Sequence, residues 1–172
     1  MIRGLESALR MVRGRAADGS PPDGWFGVEI WKQLTAELPR FRNNELRRGP
    51  PWDAVLYVNY PSPDQLPYLL DTFDLAHHFR DQPQLFGAHH PVRQGFRIMW
   101  RFARIAPFPD FNLLIGWMLM VGWLQTKGYP LLVPEAPDQV MLARLLGGPP
   151  PKRIVQFEKR LLSAVSGFQD AG

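Results

Sequence analysis

Cysteine is missing from all 172 residues. Its absence excludes disulfides, thiolate metal sites and a cysteine nucleophile. It suits a reducing compartment, so a cytoplasmic location is expected. A membrane-spanning run is missing too. The most apolar stretch, Phe111 to Leu124, falls short of the about 20 residues that cross a bilayer, and a buried helix accounts for it. Met1 to Arg15 is amphipathic and studded with arginine, without the apolar segment of a secretory leader. No membrane partner is expected. Concentrated positive charge is the third absence. Lys and Arg number 20 against 16 Asp and Glu, a net charge of +4 and a pI near 9.8. The basic residues are dispersed, apart from Arg40-Phe41-Arg42 and Arg47-Arg48. Nucleic-acid binding takes a concentrated phosphate-neutralising surface, so no nucleic acid is expected as a partner.

What the chain does have is aromatic residues and turn formers. Six tryptophans and 11 phenylalanines make a heavy aromatic share. Large rings dominate interface energetics, so some are expected at a surface that binds something. Eighteen prolines and 15 glycines predict several helices separated by irregular turns. The length suits a single domain, 1–172, with one sizeable core.

Periodicity gives the helices. Ile2, Leu5, Leu9 and Val12 predict a helix over Ile2 to Arg13. Phe26, Ile30, Trp31 and Leu34 predict a second over Trp25 to Leu38, ended by Pro39. These are the N-terminal helices of 1–39. Asn43-Asn44 is a turn signal, and Ala54 to Val58 is rich in strand formers. With Glu45 to Arg48 as partner, this segment reads as a small hairpin. Ser62 or Asp64 can cap a helix from Pro63 to Phe79. His90-Pro91 starts another that runs to Ile105. Asp110 is expected to cap a central apolar helix that ends at Lys127, with Gly128 just beyond it. A helix over Glu135 to Leu146 and a C-terminal helix within 152–167 complete a mainly α fold with one small hairpin.

The stretch Ile105-Ala106-Pro107-Phe108-Pro109-Asp110-Phe111-Asn112, with the apolar helix after it, resembles the core motif of Fic-domain proteins. That motif reads His-Pro-Phe-x-Asp/Glu-Gly-Asn-Gly-Arg-x-x-Arg. Three further segments agree in order and spacing: Ala54 to Leu70, similar to the family's flap strand, proline-rich turn and helix; the helix start His90-Pro91-Val92; and the helix ending Gly128-Tyr129-Pro130. The resemblance covers roughly 46–132. It implies a Fic-like helical fold with a small hairpin, the flap, which holds a target segment by main-chain pairing. It also implies transfer of a nucleotide or phosphate-containing group to a hydroxyl. Here the reacting residues differ. Ala106 stands where the resemblance puts a catalytic histidine, Phe111 and Leu113 at the glycines, Leu114 and Trp117 at the arginines. Alanine cannot act as a general base, and leucine cannot neutralise phosphate. Asp110, at the place of a metal-binding acid, and Asn112 are kept, as are Pro107 and Phe108.

Each remaining feature has a sharp and a plain reading. Asp110 alone cannot hold Mg²⁺ without phosphate oxygens and waters, and capping explains it. Asn112 can orient a ligand or cap a helical turn. The pairs His77-His78 and His89-His90 lack the acidic or cysteine spacing of a zinc site, so no metal and no cofactor are expected. Glu135 and Asp138 suit the first turn of a helix. Ser166 with Asp170 faintly matches the family's inhibitory helix, but Trp117 occupies the place of the arginine it would pair with. Phe108, Asp110, Phe111, Asn112 and Trp117 form the expected cleft, with a small apolar ligand as one possible occupant. Val55, Tyr57, Val58 and Tyr60 form the expected partner-binding flap edge. Three functions follow: a catalytically degenerate Fic-like domain that binds a protein partner or regulates; an enzyme of altered chemistry on a non-nucleotide substrate, using Asp110, Asn112, Arg104 and a histidine; or a structural subunit of a larger assembly.

Overall fold

One carboxylate joins the first two helices, α1 (Ile2–Ala17) and α2 (Gly24–Thr35). Asp23 sits in extended backbone ahead of α2 and accepts from Phe26 N at 2.7 Å, which satisfies one of the orphan amides of the helix start. The same carboxylate pairs with the Arg15 guanidinium, which also donates to Pro21 O and lies 4.3 Å over the Phe26 ring. The computed structural model describes residues 2–43, 46–52, 59–73 and 90–130. Val55, Tyr57, Val58, His77, His78, His89, Glu135, Asp138, Ser166 and Asp170 lie outside the described residues, as do the two expected helices beyond Pro130.

The helices expected within the described residues are there, with shifted ends. α1 runs one turn past Arg13. α2 stops at Thr35 rather than Leu38, and Pro39 opens a 3₁₀ turn, Pro39–Phe41, instead of merely ending a helix. The helix expected from Pro63 to Phe79 begins as a second 3₁₀ turn, Pro63–Gln65, and continues as the short α3 (Leu66–Asp71), with Thr72 as its C-cap; residues 74–79 lie outside the described residues. The start of the turn is a capping box in which Gln65 Oε1 accepts from Ser62 N at 3.1 Å. α4 (Pro91–Ile105) begins at His90, whose Nδ1 accepts from Val92 N at 3.3 Å, with proline at the first helical position. α5 (Asn112–Thr126) follows after a short loop.

α5 is the centre of the molecule. Ile115 to Leu124 are all buried, as expected of a helix apolar on every face. It packs mainly against α4 and α1, with α2 also in contact. Trp123 Nε1 donates to Gln94 Oε1 at 3.2 Å, a buried polar tie between α5 and α4. Gly27 of α2 lets the Phe102 ring of α4 lie against the helix backbone; a Cβ there would come within 2.6 Å of that ring. This close approach seats the aromatic core beneath the loop that joins α4 to α5.

No strand occurs among the described residues. Leu46 to Arg48, expected as one hairpin strand, are irregular. Their partner is the α4–α5 loop: Arg47 N donates to Pro107 O at 2.9 Å and Trp52 N to Pro109 O at 2.6 Å. The fold is mainly α. No helix of the described residues is long and apolar enough to cross a membrane.

Candidate functional site

The loop Ala106–Phe111 is bounded by two residues in left-handed backbone, neither of them glycine. Ala106 has φ 43° and Phe111 φ 62°. Such a conformation costs a non-glycine residue roughly 1–2 kcal/mol, so the surroundings must hold it. Ala106 ends α4, donating its N–H to Phe102 O at 2.9 Å. Phe111 precedes α5 as its N-cap residue and gives no side-chain cap. Asp110, expected in that capping role, stands one residue earlier. Its carboxylate accepts from Phe111 N at 2.8 Å and from Arg40 Nη2 at 3.1 Å. Instead of capping α5, this carboxylate is tied to an arginine 70 residues away.

Arg47 holds the loop from one side. Its side chain is almost fully buried, at 4% exposure. Nε donates to Ala106 O at 2.6 Å, Nη2 to Pro61 O at 2.6 Å and Nη1 to Gly49 O at 2.8 Å. Nη2 also approaches Ile105 O at 3.4 Å. The cation thus sits on the carbonyl end of α4, where the helix dipole favours it. Burial pushes the guanidinium below its ordinary value, and Tyr60, whose ring lies 6.0 Å away, partly offsets that.

Asn112 holds the loop from the other side. It is buried, and its amide clasps one residue twice: Oδ1 accepts from Phe108 N at 2.9 Å, and Nδ2 donates to Phe108 O at 2.8 Å. This pins the Phe108 ring inward. Phe108 is 1% exposed and stacks on Trp31 with centroids 4.8 Å apart and planes 12° off parallel. Phe102 lies 6.1 Å from it. Trp117 is buried as well. Of the expected cleft residues, Phe108, Asn112 and Trp117 therefore belong to the core. Asp110 and Phe111 remain partly exposed, and Phe111 packs at 5.8 Å against Phe41. Tyr60 is half-buried; the rest of the expected flap edge is not described.

A groove of about 620 Å³ opens beside the loop. Its walls are the two turns around Pro39–Asn43 and Leu46–Trp52, and Pro109 forms part of its rim. Arg40, Arg42, Arg47 and Arg48 line it, and none of the described lining residues is acidic. Trp52 stands 63% exposed, and the Arg40 guanidinium lies 4.6 Å over Phe41 and 6.0 Å over Trp52. A smaller cavity of about 340 Å³ includes Asn59, Leu69, Trp100 and Arg104. Arg104 stacks on Trp100 at 4.7 Å. Among the described residues no cluster of three or more histidine, aspartate or glutamate side chains is placed to hold a metal. His90 sits on Tyr129, Nε2 to Oη 3.3 Å. Sequence reasoning missed Arg47 and the groove; the available signal was the two arginine clusters, which look unrelated along the chain.

No protein-family model matches this chain, and no curated protein matches it. Twelve chains of solved structures do. One is a Fic-domain-containing signalling protein from Bacteroides thetaiotaomicron, at a TM-score of 0.74 and 21% identity. The match covers 94% of this chain and 66% of that one. The fold of this chain is Fic-like.

Proposed function

We propose that this Fic-like fold serves as a protein-binding or regulatory module that has lost nucleotide transfer. The observation that carries this reading is the internal use of the motif loop. The carbonyls of Ala106, Pro107, Phe108 and Pro109 and the amides of Phe108 and Phe111 all bond within the molecule. Where a base would stand, there is a buried methyl group. A general base must reach the hydroxyl whose proton it takes, and transfer from a nucleotide needs cations on the phosphates. Leu114 and Trp117, at the places of the cations, carry no charge. The edge at Val55, Tyr57, Val58 and Tyr60 is the proposed contact for a partner strand, which would dock through main-chain bonds.

The test is transfer from radiolabelled ATP with Mg²⁺, beside calorimetric titration of the same nucleotide. The expected result is no labelled product and no micromolar affinity. Ala106→His should not restore transfer, because a base accelerates only a substrate already positioned. Labelled product from the wild type or from that single variant would overturn the reading.

A further inference from the structure

The arginines are dispersed along most of the chain, with Arg40-Phe41-Arg42 and Arg47-Arg48 as the exceptions. The fold brings both exceptions to one groove. Four arginines line it and no described lining residue is acidic, although Asp110, next to the lining Pro109, accepts one bond from Arg40. We infer that this groove, beside the motif loop, takes an acidic peptide segment of a partner protein. The inference deepens the binding-module reading and rests on it.

The four arginines divide by role. Arg47 is buried, with its donors on main-chain carbonyls, so it shapes the floor. Arg40, Arg42 and Arg48 are exposed, and Arg40 and Arg48 also interact within the molecule. Arg40 is stacked among Phe41, Trp52 and Phe111 and gives Asp110 one hydrogen bond. Stacking holds its planar fork in place, so less freedom is lost when a carboxylate accepts from it. The exposed Trp52, tilted against Phe41 at 5.8 Å, supplies a flat apolar contact between the charges. Tryptophan beside arginine is the composition that carries binding energy at protein interfaces.

The same charges would attract nucleic acid, but the shape favours a peptide. A nucleic-acid strand is held along a cationic track with successive rings for successive bases. This groove has one strongly exposed ring, Trp52, and a volume of about 620 Å³, in the range of sites that enclose a few side chains. Carboxylates of a short acidic segment can meet the guanidinium forks in pairs.

The experiment is fluorescence anisotropy on the full chain. The probe is a fluorescein-labelled peptide of about ten residues alternating glutamate and alanine. A glutamine-for-glutamate peptide and a labelled oligothymidylate of similar length run beside it. Saturable binding of the glutamate peptide is expected, at least about tenfold tighter than the glutamine peptide, and weakening as salt rises. Arg42→Glu should weaken it about tenfold, since a close charge contact is lost and a repulsive one made. Trp52→Ala should weaken it severalfold. Arg10→Glu on α1 makes the same change in net charge away from the groove and should leave affinity within about twofold. Far-ultraviolet circular dichroism confirms that each variant is folded. Equal binding of the two peptides, tighter binding of the oligothymidylate, no binding of the glutamate peptide, or equal losses for Arg42→Glu and Arg10→Glu would each overturn the inference. Loss of binding in Val58→Pro with full binding in Arg42→Glu would also overturn it, moving capture to the flap edge while the binding-module reading stands.

Discussion

The motif loop and the groove beside it share residues 46–52 as a wall, yet they treat polar groups in opposite ways. In the loop, main-chain carbonyls and amides are turned inward and bonded to Arg47, Asn112 and the 46–52 segment. In the groove, Arg40, Arg42, Arg48 and Trp52 are exposed, with one bond from Arg40 spent on Asp110. A buried polar group has to be satisfied where it is, so the loop's bonding capacity serves the fold. Exposed charge beside an exposed ring contributes little to the fold. Closeness to a motif is therefore a poor guide to which residues act; the better guide is where their hydrogen bonds go.

Variants can break or sharpen that contrast. The largest effect is expected from Arg47→Ala, which leaves the carbonyls of Ala106, Pro61 and Gly49 without their donor. Hydrogen bonds to a charged group are worth about 1.5–3 kcal/mol, and unsatisfied buried partners add to the cost. A loss of about 3–4 kcal/mol in urea unfolding should result. A change under about 1 kcal/mol would mean that water serves the loop equally well and that it is not closed. Asn112→Ala comes next, at about 2–3 kcal/mol, for both bonds to Phe108 and the packing they enforce. Asn112→Asp should cost nearly as much, because a carboxylate cannot donate to Phe108 O. If the aspartate variant matches the wild type, the clasp is not the two-bond arrangement described.

Groove variants should be mild. Arg40→Ala gives up the bond to Asp110, and the exposed side of this pair limits the loss to about 0.2–1 kcal/mol. Arg42→Ala should change stability by no more than about 0.5 kcal/mol, as for most surface substitutions. A destabilisation of about 2 kcal/mol from Arg42→Ala, read by the same urea titration, would erase the distinction between structural loop and available groove.

Much of this was legible in the chain. The Phe26, Ile30, Trp31 and Leu34 face and the all-round apolar α5 follow from spacing alone, and the helix start at His90-Pro91 follows from the fixed φ of proline. The motif frame, and with it the Fic-like fold, was legible as well. Other features were not, because they depend on contacts between distant residues. An arginine is rarely buried, so nothing local marks Arg47 as the residue that closes the loop. Asp110 has the look of a cap until Arg40 arrives from 70 residues away. Phe108 can face a cleft or a core, and only the ring of Trp31 beneath it decides. The two arginine clusters acquire meaning when the turns at Pro39–Phe41 and Leu46–Trp52 are folded toward each other.

The bond from Arg47 to Ala106 spans 59 residues of chain, and that span has a consequence in time. A contact between such distant residues forms only after a large loop has been closed, at an entropic cost that local helical contacts do not bear. The α4–α5 hairpin can assemble first, leaving the strained turn at Ala106 to be fastened last. Stopped-flow measurements should then find the effect of Arg47→Ala almost entirely in a faster unfolding rate, with the folding rate little changed. Arg47 would set how long a folded molecule keeps its loop shut, more than how quickly the chain reaches that state.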